Sequence, residues 1–217
     1  MTTPTHLPLL AVWLDKLLSA LVILLTGAHA QPLPQLRERT AAGRIYYANH
    51  NSHGDFMLIW VSLPRVLRRQ LRPVAAADYW LKSPLRRFIA LKVFNMVLVA
   101  RQSGEPQAAV LQMAEAMDAG ADLLIFPEGT RSKTGELQKA EAGVALIAAM
   151  TGAPIVPVAI LNTHRIFSNG GFIPQLRIMY GEPITFDGDR KSKESLDTFS
   201  EEIMAQIARM KDELARK

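Results

Sequence analysis

Ile45-Tyr46-Tyr47-Ala48-Asn49-His50-Asn51-Ser52-His53-Gly54-Asp55-Phe56 passes from a short apolar run, through a polar turn, into residues of helical periodicity. Four β-prone residues followed by Asn, Ser and Gly read as a strand that ends in a loop. Working outward from it, the same alternation recurs. Residues 56–71 have helical spacing, bent near Pro64, and residues 74–77 form a strand. Residues 84–92 are helical and 93–100 form a strand ending at Arg101. Residues 106–119 form a helix with Pro106 at its start and Gly120 just past its end, where a missing N–H and a free φ are tolerated. Strands follow at 122–126, 155–161 and 176–180, with a helix at 142–150. Leu196, Phe199, Ile203, Ile207, Met210 and Leu214 return at three- and four-residue steps, so the C-terminus is an amphipathic helix with a core-facing stripe. Strands alternating with helices give an α/β fold, a mixed, largely parallel sheet flanked by helices.

The turn after the first of these strands carries chemistry. An imidazole at His50 and a carboxylate at Asp55 would not share a helix face, because five steps of about 100° separate them in angle. They meet only across an irregular turn, which Asn51, Ser52 and Gly54 permit. If they meet, Asp55 orients the ring and stabilises its protonated form, and His50 takes a proton from an attacking hydroxyl. A structural reading stands beside this one. Ser52-x-x-Asp55 matches a helix capping box, with the acid in the first turn. The two are compatible.

A second stretch, Leu123-Leu124-Ile125-Phe126-Pro127-Glu128-Gly129-Thr130-Arg131-Ser132, runs from a strand into a turn that displays an acid and an arginine. Gly129 allows close backbone approach to a ligand, and the planar fork of Arg131 suits phosphate. An ordinary surface turn with an Arg–Glu pair would look the same in isolation.

Together the two stretches resemble the 1-acyl-glycerol-3-phosphate acyltransferase family, which includes the glycerol-3-phosphate acyltransferases. Its first block, Asn-His-x-Ser-x-x-Asp, is met by Asn49, His50, Ser52 and Asp55, and its third, Phe-Pro-Glu-Gly-Thr-Arg-Ser, by Phe126 to Ser132. The fourth, an apolar run around a proline, is met by Pro154-Ile155-Val156-Pro157-Val158. The second is met loosely by Asn95 to Arg101: Asn95 stands where a glycine is usual, and Ala100 where an acid usually precedes the arginine. Many members also carry Phe-Lys where this chain has Ala140-Glu141. The resemblance implies a fatty acyl transfer from acyl-CoA or acyl carrier protein to the hydroxyl of a lysophosphatidic acid-like acceptor, in phospholipid biosynthesis. It implies that His50 is the general base and Asp55 its partner. It also implies that Arg101, Glu128, Gly129, Thr130 and Arg131 bind the acceptor's phosphate. No cofactor and no metal are implied, only the acyl donor as a substrate. Glycerol-3-phosphate or another lyso-lipid remains the alternative acceptor.

Composition agrees with such a reaction. The chain has 217 residues, enough for one sizeable α/β core, and no cysteine, which excludes a thiol nucleophile, disulfides and thiolate metal sites. No Gly-x-Ser-x-Gly elbow is present either. Direct attack of the acceptor hydroxyl on the thioester therefore fits better than a covalent acyl-enzyme. At 49% hydrophobic and 21% charged residues the chain is not disordered. A net charge of +5 favours acidic partners. The cations cluster: Arg65, Arg68, Arg69, Arg72, Lys82, Arg86, Arg87 and Lys92 lie between Phe56 and Ala100, with Asp78 as the sole acid. Beside apolar Leu63, Val66, Leu67 and Leu71 this block suits anionic headgroups. No nucleic-acid module or aromatic platform accompanies it, so nucleic acid is not an expected partner.

Residues 7–25 are almost wholly apolar, broken by Asp15 and Lys16. Three readings compete: a spanning helix, a cleaved signal with Ala28-His29-Ala30 at its end, and a retained helix lying in the membrane interface. The expected organisation is a membrane-associating helix and linker over 1–40, with 31–44 rich in Pro, Gln, Arg and Ala, and a glycerolipid acyltransferase domain over 41–217. The expected place is the membrane, at the cytoplasmic face of the inner or plasma membrane. Trp13, Trp60 and Trp80 are either interface anchors or, for the latter two, core. Two rivals stand: a metal-dependent hydrolase with His50, His53 and Asp55 as ligands, and a non-catalytic lipid-binding protein that does not need His50.

Overall fold

The structure is a computed structural model that describes residues 13, 16–17, 20–21, 24, 29–30, 36, 43–50, 52, 54–100, 106–126, 143–163 and 176–216. Its strands are β1 (His29–Ala30), β2 (Ile45–Ala48), β3 (Leu71–Ala76), β4 (Val97–Val99), β5 (Asp122–Ile125), β6 (Ile155–Leu161) and β7 (Arg177–Tyr180). The helices are α1 (Asp55–Ser62), α2 (Arg65–Arg68), α3 (Ala77–Trp80), α4 (Pro84–Phe88, continued as π-helix over Ile89–Val93), α5 (Pro106–Asp118), α6 (Gly143–Thr151) and α7 (Lys193–Arg216).

Among the described residues the strands form one sheet in the order β1-β7-β6-β2-β5-β3-β4. Only β6 and β7 pair antiparallel; the other pairings are parallel, as expected of a mixed, largely parallel sheet. The strand β2 is central, with Ile45 opposite both Leu123 and Ile155. All four of its residues are buried, and so are those of β5. Both faces of the sheet are covered, which is why these strands read as unbroken apolar runs rather than alternating ones. The pleat still sorts them. Ile45, Tyr47, Leu123 and Ile125 pack under α5, α6 and α7, whereas Tyr46, Ala48 and Leu124 pack under α1, α2 and α4. Pro157 is tolerated inside β6 because it falls between the last β7 pair, Val158 with Tyr180, and the single bridge of Ile155 to Ile184.

Several boundaries differ from the sequence reading. The helix expected over 56–71 breaks at Leu63, with Pro64 preceding a separate short helix, and Leu71 already belongs to β3. The strand expected over 93–100 is only Val97–Val99, because the π-helix runs to Val93 and the chain turns at Asn95, φ +48°. The Met96 N–H donates to the Ala90 carbonyl at 2.8 Å, closing that turn. This explains the glycine usual at that position: the backbone is left-handed, which Gly and Asn enter most easily. Ala77–Trp80 was not expected as helix, nor His29–Ala30 as strand. The linker expected over 31–44 is anchored at its end: Arg44 is buried, its N–H on the Asp122 carboxylate and its guanidinium on the Leu36 carbonyl, both at 3.0 Å.

In the N-terminal segment, Trp13, Lys16, Leu17, Ala20, Leu21 and Leu24 are helical and exposed, with the Lys16 ammonium 5.0 Å from the Trp13 ring centroid. No helix among the described residues is long and apolar enough to cross a membrane. Trp60 is core, packed edge-on against Phe94 at 4.7 Å, and Trp80 packs against the same cluster.

Candidate active site

Parallel pairing aligns the C-terminal ends of β2, β5, β3 and β4 along one edge of the sheet, the edge where α/β folds place ligands. At the end of β2, Asn49 is fully buried and extends the ladder with its side chain. Its amide donates to the Ile160 carbonyl at 3.0 Å, and its carbonyl accepts from the Ile160 N–H at 2.8 Å. The strand is thus held to β6 one residue before His50.

His50 and Asp55 meet. Nδ1 of the ring lies 2.9 Å from Oδ2 of Asp55, with the imidazole 20% exposed and the carboxylate fully buried. The turn between them is irregular, as the spacing requires. Gly54 takes the N-cap position of α1, so Asp55 opens the helix rather than sitting one turn inside it. The capping box is present only in half. Asp55 reaches back to accept the Ser52 N–H at 2.7 Å, but the Ser52 hydroxyl accepts from Gly54 at 3.3 Å, and the Asp55 N–H donates to the Ser52 carbonyl instead. The same carboxylate oxygen therefore fixes the turn and holds the imidazole. Against that acceptor Nδ1 carries the ring proton, so Nε2 is the basic nitrogen.

Phe126, the first residue past β5, stacks on the His50 ring at 4.2 Å between centroids and 25° between planes. Sequence reasoning placed Phe126 in a motif but gave it no task, and it gave Asn49 none beyond identity. Chain separation hides both contacts. Arg101, Glu128, Gly129, Thr130 and Arg131 lie outside the described residues, as do His53 and the segment of Ala140 and Glu141. Ala100, just before Arg101, and Phe126, shortly before Glu128, both follow strands that end at the edge occupied by His50.

Residues 30–161 match the model of the acyltransferase family. The 1-acyl-sn-glycerol-3-phosphate acyltransferase of Cocos nucifera is 35% identical over 161 residues, covering 69% of this chain and 48% of that one. That of Limnanthes douglasii is 28% identical over 160 residues, 69% of this chain and 53% of its own. The chain spans about half the length of these relatives. In fold, it is similar to the crystal structure of the 1-acyl-sn-glycerophosphate acyltransferase from Thermotoga maritima. The TM-score is 0.70 and the identity 23%, over 95% of this chain and 80% of that one.

Proposed function

The chain belongs to the acyltransferase family, and on that footing we propose that it moves a fatty acyl group from a thioester donor to the hydroxyl of a lysophosphatidic acid-like acceptor. The observation that carries this reading is the contact of His50 Nδ1 with the buried Asp55 carboxylate at 2.9 Å. In the proposed reaction Nε2 of His50 takes the proton of the acceptor hydroxyl as its oxygen attacks the thioester carbonyl. Asp55 holds the ring and favours the imidazolium that forms. Collapse of the tetrahedral intermediate expels the donor's thiolate, which recovers the proton from His50. The ester forms, the thioester breaks, and no acyl group rests on the protein.

Arg101 and Arg131, with Glu128, Gly129 and Thr130, are assigned to the acceptor's phosphate, an assignment supported by the guanidinium fork and by the family motif. Acyl-CoA or acyl carrier protein is the donor, and no cofactor or metal enters the scheme. The acceptor is assigned as a lysophosphatidic acid because the names of the relatives above specify that activity and because the exposed apolar helix near Trp13, Leu17, Leu21 and Leu24 suits a substrate already in a bilayer. The protein is accordingly placed at the membrane, on its cytoplasmic side, where soluble thioester donors reach it.

The test is a purified assay crossing lysophosphatidic acid, glycerol phosphate and neutral lyso-lipids with both donors, read by mass spectrometry of the products. His50→Ala should lower turnover by roughly 10²- to 10⁴-fold. His53→Ala should cost much less. Equal losses would misassign the base, full activity in His50→Ala would remove His50 from the chemistry, and no product from the wild-type chain on any acceptor would leave lipid binding without catalysis. Activity that vanishes on complete metal removal would favour the hydrolase-type metal site instead.

A further inference from the structure

The crossover from β3 to β4 presents an outward surface that the acyl-transfer reading does not use. In α4 and its π-helical continuation, Ala90 is fully buried, and Phe94 just beyond packs edge-on against Phe56 and Trp60 at 4.9 and 4.7 Å. That is the inner face. On the outer face Leu85 is 69% exposed, Phe88 53% and Leu91 38%, at three-residue steps, with Leu81 at 49% in the turn before. A helix that meets only water turns polar residues outward. Single exposed apolar residues need no explanation, but a stripe of them at the centre of an outward face does. Lys82, Arg87 and Lys92 are exposed around the stripe, and Arg86 stacks over the Tyr79 ring at 4.5 Å. Asp78 is the sole acid from Ala77 to Val93.

We propose that this face is a membrane-docking surface, distinct from the N-terminal segment, whose apolar stripe enters the headgroup region of a bilayer while its cations engage anionic lipid. An acidic protein would satisfy the cations. The protruding Leu85 and Phe88 on a convex helix favour a fluid phase that closes around them over a preformed complementary groove. The segment leaves the C-terminal end of β3, the edge at which His50 and Asp55 sit, so docking here brings that edge toward the lipid. The inference goes beyond the proposed acyl transfer and is read without it.

Co-sedimentation of the full chain with vesicles of phosphatidylcholine, alone or with phosphatidylglycerol, provides the test. The double variant Leu85→Ser with Phe88→Ser should reduce partitioning on both vesicle types by roughly tenfold or more, since two apolar side chains no longer leave water. Lys82→Gln with Arg87→Gln should reduce binding only to the anionic vesicles, by about fivefold per charge, and the loss should shrink as salt rises. Leu111→Ser, 54% exposed on α5 across the sheet, should change nothing. Unchanged vesicle binding in both double variants would overturn the proposal and leave all membrane affinity with the N-terminal segment. So would an equal loss in Leu111→Ser. Intact vesicle binding with lost turnover on an acyl carrier protein-linked donor alone would assign the face to an acidic carrier and overturn it too. The charge variants remove no buried group, so they decide the matter should the apolar pair unfold the chain.

Discussion

Phe126 lies flat against the His50 imidazole, 4.2 Å between ring centroids and 25° between planes, so the first residue past β5 braces the second residue past β2. Asp55 fixes the ring through one edge, and Phe126 fixes its plane. A stacked pair contributes about 0.5–1.5 kcal/mol beyond the area it buries, which corresponds to roughly 3- to 10-fold in rate if lost mainly in the transition state. Phe126→Leu is therefore expected to lower kcat by that factor with a smaller change in KM, and Phe126→Tyr to restore it. Steady-state kinetics on both variants checks this. A change confined to KM would make Phe126 a wall for substrate rather than a brace for His50, the proposed base.

Asp55→Asn separates orientation from charge. An amide fits the same space, and its oxygen in the place of Oδ2 can accept from both the Ser52 N–H and the ring, but it cannot balance an imidazolium. Neutralising a buried carboxylate removes a burial cost as well as an interaction, so the fold should survive. Turnover is expected to fall by roughly 10²- to 10⁴-fold while the thermal midpoint moves little. Near-wild-type turnover in a folded Asp55→Asn protein would confine Asp55 to capping the turn.

What the sequence revealed and what it hid divide along physical lines. Ile45–Ala48 and Ile155–Leu161 are legible to the residue because buried strands are short apolar runs between polar punctuation. The α7 stripe is legible because one face packs on the core and the other meets water. From Ile89 to Val99, by contrast, the chain is nearly continuous in hydrophobicity, so periodicity cannot separate the π-helix from β4. The turn between them rests on the left-handed backbone of Asn95. Within the site, the His50–Asp55 meeting follows from local chain geometry, five residues apart. The Asn49–Ile160 clamp joins residues 111 positions apart, and the His50–Phe126 stack is nonlocal too. Neither leaves a local signal.

That clamp can be measured. Asn49→Leu keeps an apolar side chain of similar bulk but leaves the Ile160 N–H and carbonyl, both paired to Asn49, without those partners in the core. Each unsatisfied buried group costs about 1–3 kcal/mol, so a loss of about 2–5 kcal/mol is expected. Urea denaturation should show a lower midpoint with an unchanged slope. A loss below about 1 kcal/mol would show that β2 and β6 hold without it, and that Asn49 does not set where His50 stands.

Burial first, and then the nearby Asp122 carboxylate, push the Tyr46 phenol up to about 12, against the opposing pull of Arg44. Burial likewise raises Tyr180, whose hydroxyl lies 2.6 Å from that of Ser62 and whose ring meets Tyr46 edge-on at 6.3 Å. Both phenols are neutral in the folded and unfolded chain below about pH 10, so stability there does not depend on their ionisation. Above pH 10 the unfolded chain loses these protons and the folded one keeps them, so stability falls as pH rises from 10 through 12. For Tyr46 a shift of this size amounts to roughly 2–3 kcal/mol once both states are ionised. Tyrosinate absorbance should therefore lag in Tyr46 and Tyr180 and appear together with loss of circular dichroism. Tyr46→Phe should move the alkaline unfolding midpoint to higher pH. If all four tyrosines ionised near pH 10 in a chain still folded, water would reach the Tyr46 hydroxyl, and the packing of α1 over β2 would be looser than the buried ring implies.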